Sequence, residues 1–206
     1  MQFPKHKYTN AADYLGDYAR ELAAAMASVD RQAIDRAVAL LAATQARDGT
    51  IWSCGNGGSA AIANHLVCDH GKGVHADTGL RPRVQSLSSN IEVVTAIAND
   101  MTYADVFVHQ LRLGARAGDT LVTISASGDS ENIVRAASWA RDNKLSVIAL
   151  TGFSGGRSAM LADVSIHVQA ENYGVAEDAH QALMHVLAQY LRQAAMPEAL
   201  IAACKF

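Results

Sequence analysis

The chain has 206 residues, half of them hydrophobic and 18% charged, which is enough for one domain with a sizeable buried core. A net charge of −3 with no clustered basic run excludes nucleic acid as the main partner. No apolar run reaches the roughly 20 residues that a membrane-spanning helix needs, and Met1 to Lys7 lacks the apolar core and cleavage site of a signal peptide. Cys54, Cys68 and Cys204 are odd in number and form no CxxC pair, so a reduced, cytoplasmic setting without membrane association is expected. Cys54 and Cys68 are expected as small buried residues.

Two helices are predicted first, over about 11–28 and 31–47, both rich in Ala and Leu, with Thr9-Asn10 and Asp30 as caps. Strands and helices then alternate: strand 50–54, helix 59–69, strand 84–87, and a helix from Asn90. A helix near 104–116 precedes strand 120–125, helix 132–143, strand 146–151, a short helix at 157–161 and strand 164–168. An amphipathic helix over about 175–193 comes last. Segment 70–83 carries three glycines, two histidines and Pro82 and reads as a long loop, of the kind that is functional or packed on a partner. Apolar runs such as Leu121-Val122-Thr123-Ile124 and Val147-Ile148-Ala149-Leu150 suit strands buried on both faces. The alternation therefore predicts an α/β, doubly wound, flavodoxin-like parallel sheet of five strands, preceded by N-terminal helices.

Two strand-to-helix turns carry the functional signal. The first, Ser53-Cys54-Gly55-Asn56-Gly57-Gly58-Ser59, breaks a strand through glycines into a helix, which aims backbone N–H groups and the positive end of the helix dipole at one point. The second, Ser125-Ala126-Ser127-Gly128-Asp129-Ser130, is rich in hydroxyls that donate to phosphate oxygens, although Ser127 or Ser130 could instead cap the next helix. At the carboxyl ends of parallel strands both loops face one crevice, so an anionic, phosphorylated ligand is expected there.

His65 and Asp69 are four residues apart, on one face of the helix behind the first loop, where they can share a divalent metal or act together in proton transfer. Glu177, His180 and His185 lie on the last helix, with Glu177 and His180 spaced to pair on one face. His185 could face either the core or a cleft. Eight residues of helix span about 12 Å, too far for Glu177 and His185 to reach one ion easily. Asn99-Asp100 ends an apolar helix, either as a plain terminus and turn or as polar groups for sugar hydroxyls.

With CGNGGSA at 54–60, AIAND at 96–100, ISASGDS at 124–130 and LTG at 150–152, the chain resembles the sugar isomerase (SIS) domain. More closely it is similar to the phosphoheptose isomerases, which convert sedoheptulose 7-phosphate to D-glycero-D-manno-heptose 7-phosphate. The resemblance runs from the first helices to about residue 193. It implies one SIS domain over 1–206: helical to about 48, an α/β core over about 49–195, and a short C-terminal tail. It also implies a homotetramer with active sites between subunits and one Zn²⁺ per subunit.

On matching positions, Asn56, Gly57, Gly58, Ser59, Asn99 and Asp100 would contact substrate, and Ser125, Ala126, Ser127 and Ser130 would hold its phosphate. His65, Asp69, Glu177 and His185 would bind the metal, with Asp69 and Glu177 also touching substrate. Asp69 and His185 are the implied proton carriers. The family has threonine at position 126, glutamate at 69 and glutamine at 177, so this chain has a shorter acid at one place and an added charge at another. The alternative is a non-enzymatic SIS protein that binds a sugar phosphate or a replication-initiator-type partner.

Overall fold

The computed structural model describes residues 3–206. Helices α1 (Ala11–Ala27) and α2 (Arg31–Ala46) start where Asn10 and Asp30 accept the N–H groups of Asp13 and Gln32. The strands are β1 (Thr50–Gly55), β2 (Arg83–Ser86), β3 (Thr120–Ser125), β4 (Ser146–Thr151) and β5 (Val164–His167). They form one sheet in the order β2-β1-β3-β4-β5, with every pairing parallel. The remaining helices are α3 (Gly58–Cys68), α4 (Ile91–Asp100), α5 (Val108–Gly114), α6 (Glu131–Asp142), α7 (Gly156–Leu161), α8 (Tyr173–Ala195) and α9 (Glu198–Ile201).

Every residue of β1 and β3 is buried, as a strand sandwiched between two helical layers requires. Successive side chains alternate between two cores. Ile51, Val122, Ile124, Ile148 and Leu150 join Leu41, Leu66, Met184 and Leu187 under α2, α3 and α8. Trp52, Leu121 and Val147 join Phe107, Leu111 and Ile133 under α5 and α6. A buried carboxylate fastens the start of the central strands: Asp119 accepts from the Thr50 N–H (2.8 Å), the Trp52 indole (2.9 Å) and the Arg116 N–H (2.9 Å). No helix among the described residues is long and apolar enough to cross a membrane.

The expected α/β sheet and its five strands are present. Two segments differ from the sequence reading. Residues 70–83 do not form a plain loop, because α3 continues as a π-helical turn over Asp69–Val74 that buries His70 and Val74. Gly71 and Gly73 face open space there, so they read as loop residues while the buried pair holds the turn in place. The helix expected near 104–116 is split into a 3₁₀ turn, Tyr103–Asp105, and α5. Cys54 is fully buried, and burial pushes its thiol well above its ordinary value, but Cys68 is exposed rather than buried.

Candidate active site

The sheet order places β1 between β2 and β3, so the connections leaving β1 and β3 diverge to opposite sides. The crevice at such a switch point is where open parallel sheets bind ligands. The two loops identified from sequence meet there. A crevice of about 120 Å³ is lined by Asn56 and Ser59 from the first loop, by Ser125, Ala126, Ser127 and Ser130 from the second, and by Tyr173 and Glu177 of α8. Helix α3 begins without a side-chain cap, and so does α6, whose N-cap residue Ser130 leaves its hydroxyl uncommitted. Two sets of unpartnered N–H groups therefore border one concavity, which favours an anion.

Glycines permit this geometry where other residues would collide. Gly57 has φ +55° at the start of α3, and a Cβ on Gly58 would overlap the Glu177 carboxylate. The floor is a reciprocal amide pair: Asn56 Nδ2 donates to Asn132 Oδ1 at 3.0 Å, and Asn132 Nδ2 donates to Asn56 Oδ1 at 2.9 Å. The Tyr103 hydroxyl adds a third bond, to Asn56 Oδ1 at 2.8 Å. Asn132, Tyr103 and Tyr173 were not read from sequence.

The second loop is braced from outside. Arg157 donates to the Asp129 carboxylate (2.9 Å), to the Asp129 carbonyl (2.8 Å) and to Glu131 (3.0 Å). These bonds hold the Asp129 and Glu131 carboxyls below their ordinary pKa values. Within the loop, Ser125 Oγ accepts from the Gly128 N–H at 3.1 Å and Ser127 Oγ from the Asp129 N–H at 3.3 Å. If the crevice holds phosphate, Ser130→Ala removes a ligand contact without disturbing a cap. A hydrogen bond to a charged group contributes about 1.5–3 kcal/mol, so KM for a phosphorylated sugar should rise roughly tenfold to hundredfold with kcat unchanged. Steady-state kinetics would reveal this, and an unchanged KM would remove Ser130 from the site.

Helices α3 and α8 lie side by side and run in the same direction, because their contacts advance together. The Ser59 hydroxyl meets Glu177 (3.5 Å), His65 meets Gln181 (3.1 Å) and Asp69 meets His185 (3.5 Å). The first contact lies at the crevice and the other two lie further along the pair. His65, Asp69 and His185 form a group whose candidate ligand atoms lie within 4.8 Å of one another. His65 Nε2 is 3.2 Å from Asp69 Oδ1, and the two imidazoles stand nearly perpendicular with ring centroids 5.0 Å apart. Two imidazoles and one carboxylate, partly open to solvent, make a three-ligand set of the kind that holds zinc with a free position, so the donors fit the metal that the resemblance implies.

Glu177 is not in that group. The structure brings together three of the four expected ligands, and the fourth faces the crevice two helical turns away, as the eight-residue spacing required. Gln181 stands in the group instead, with its amide nitrogen 3.1 Å from His65 Nδ1 and 3.0 Å from His185 Nε2. Beside the group a cavity of about 390 Å³ opens, lined by Cys68, Lys72, Arg192 and Phe206 among others.

The histidines of α8 are sorted by burial. His185 faces the cleft. His180 is fully buried with neither ring nitrogen hydrogen-bonded, and burial pushes its pKa down to about 4. It does not pair with Glu177 and is neutral at physiological pH. Asn99 and Asp100 are exposed at the end of α4, where Asn99 donates to Asp100 at 2.8 Å, and neither lines the crevice of its own chain.

Residues 14–152 match the SIS domain family. The phosphoheptose isomerase of Mycobacterium tuberculosis is 38% identical over 146 residues, covering 70% of this chain and 73% of that protein. That of Rhodospirillum rubrum is 35% identical over 155 residues, covering 75% and 82%. The solved phosphoheptose isomerase of Neisseria gonorrhoeae superposes with a TM-score of 0.80 at 32% identity, over 89% of this chain and 97% of that one. The one from Francisella tularensis gives 0.82 at 28% identity, over 90% and 100%. With crevice, donor group and relatives in agreement, the chain belongs to the SIS-domain family and, within it, to the phosphoheptose isomerases.

Proposed function

We propose that this chain is an aldose–ketose isomerase that converts sedoheptulose 7-phosphate to D-glycero-D-manno-heptose 7-phosphate. The observation that carries the reading is the pairing of α3 with α8, which sets an anion crevice at one end and a His65–Asp69–His185 group further along. Six residues separate Ser59 from His65 and eight separate Glu177 from His185, or about 9–12 Å of helix. A linear seven-carbon chain with its phosphate ester, built from bonds of ~1.5 Å in a zigzag, reaches on the order of 10 Å. The phosphate is held by the 55–59 and 125–130 loops, and the C1–C2 end is presented to the donor group.

The reaction moves one proton between adjacent carbons. Asp69 takes the proton next to the carbonyl, which gives an enediolate, the hydroxyl proton passes from one oxygen to the other, and protonated His185 gives a proton to the neighbouring carbon. A proton passed from Asp69 to His185 restores both groups. A divalent metal held by His65, Asp69 and His185 supplies polarisation of the carbonyl oxygen when bound. A histidine that ligates the metal has no free lone pair, so while His185 carries the proton the metal would be held by His65 and Asp69. Glu177 lies in the crevice with Ser59 and contacts the substrate there. The non-enzymatic alternative is not favoured, because it gives no reason for two imidazoles and a carboxylate to be gathered from separate helices.

The metal we assign is zinc, one ion per subunit, and the assembly is a homotetramer in the cytoplasm. Exposed Asn99 and Asp100, away from their own crevice, accord with a site that a second copy completes. The deciding experiment is conversion of sedoheptulose 7-phosphate by protein purified without chelator, alongside elemental analysis. We expect one equivalent of metal per chain, activity that a chelator abolishes, and parallel loss of metal and activity in His65→Ala. Metal-free protein with full activity would leave direct acid–base chemistry through Asp69 and His185. No turnover of the heptose phosphate would overturn the assigned substrate.

A further inference from the structure

Gln181 is the one member of the donor group with no assigned role. We propose that it is a positioning residue of the metal centre, holding the imidazole of His65 in the tautomer and orientation that binding requires. The inference rests on the reading that this centre binds a divalent metal.

The geometry is specific. A single amide end lies 3.1 Å from His65 Nδ1 and 3.0 Å from His185 Nε2, while the opposite nitrogen of His65 faces Asp69 at 3.2 Å. His65 is thus gripped at both ring nitrogens, by α8 on one side and by its own helix on the other. Without metal, the network closes with His65 Nε2–H donating to Asp69 and the amide NH₂ donating to the lone pairs of His65 Nδ1 and His185 Nε2. When His65 Nε2 serves as the ligand its proton must reside on Nδ1, and that N–H then needs an acceptor. The two ends of a carboxamide have nearly the same shape, and one donates where the other accepts, so by turning its amide Gln181 satisfies either tautomer of His65 and withdraws its NH₂ from the His185 Nε2 lone pair that the metal would take. A metal-ligating histidine commonly gives its second N–H to such a partner, and loss of the partner lowers metal affinity tenfold to hundredfold. His65 is exposed, so an apolar side chain at 181 would leave its Nδ1–H to solvent, which accepts the bond but does not orient the ring, and a shorter amide would not span the two rings.

The test is Zn²⁺ affinity by competition with a chromophoric chelator, on the whole chain, with circular dichroism as a check on folding. Gln181→Leu should bind Zn²⁺ about tenfold to hundredfold more weakly than the wild type. Gln181→Asn, one methylene shorter and still polar, should be similarly weak and asks the same question should the leucine variant fold poorly. Gln181→Glu, which restores an acceptor at the same reach, should bind at or tighter than the wild-type value. Equal or tighter binding in the leucine and asparagine variants overturns the role of Gln181, as does failure of the glutamate variant to recover affinity. A wild-type chain that binds no Zn²⁺ would instead overturn the metal reading itself, an outcome distinct from a wild type that binds and variants that bind equally.

Discussion

Asp69→Asn should lower kcat by ~10²–10⁴-fold, the range expected when a positioned acid–base group is lost. The substitution preserves size but removes both the proton acceptor and one anionic metal donor. Asp69 lies near His65 and His185 and away from the phosphate crevice, so the anchoring end of the substrate should scarcely notice. KM for the phosphorylated sugar should therefore change far less than kcat. Steady-state kinetics would separate the two, and a loss confined to KM would move Asp69 out of the chemistry.

The largest effect on stability is expected from a glycine of the second loop that does not itself line the crevice. Gly128 has φ +68°, and a Cβ there would overlap the carbonyl oxygen of Gly155. Across the same junction a Cβ on Gly156 would come within 2.6 Å of the Ser127 carbonyl oxygen. Both obstacles are backbone, so no side-chain rotation relieves them. Gly128→Ala should cost about 3 kcal/mol or more through backbone strain and forced separation of the two loops. For a chain of this size that is roughly 6–12 °C in Tm. Gly79 provides the comparison, since it has φ +71° and a Cβ added there would meet nothing within 4 Å. Gly79→Ala should cost only ~1–2 kcal/mol for its left-handed backbone. Equal losses in the two variants, measured by thermal denaturation, would mean that the loop contact contributes nothing.

Much of the fold was legible in sequence because its signals are local. An apolar run that breaks into a glycine-rich turn marks β1 and one that breaks into a serine-rich turn marks β3, wherever the rest of the chain goes, and Asn10 and Asp30 announce their helices by side-chain chemistry alone. The π-helical turn at 69–74 was not legible, because its glycines speak for a loop and only the burial of His70 and Val74 speaks against it. In the site, the histidines and acids stood out by residue type. Gln181, Asn132 and Tyr103 did not, since nothing near them in sequence distinguishes an amide that bridges two imidazoles from an amide in water. Their roles come from contacts across long stretches of chain, 116 residues for Gln181 with His65 and 76 for Asn132 with Asn56. The distance between Glu177 and His185 could be read from helical rise, but which of them stayed with His65 depended on the register of α3 against α8.

The places of α3 and α8 along the chain also set an order of events on the ribosome. The α3 half of the donor group is made first, and Gln181 follows His65 by 116 residues. At synthesis rates of about 5–20 residues per second, the interval is roughly 6–23 s. Until α8 emerges, His65 and Asp69 have each other but lack Gln181 and His185, the crevice lacks Tyr173 and Glu177, and one core lacks Leu183, Met184 and Leu187. A single late helix thus completes core, crevice and donor group together. A message that terminates before α8 yields a chain with both loops but no donor group and with bare apolar surface, fit for chaperones and proteases.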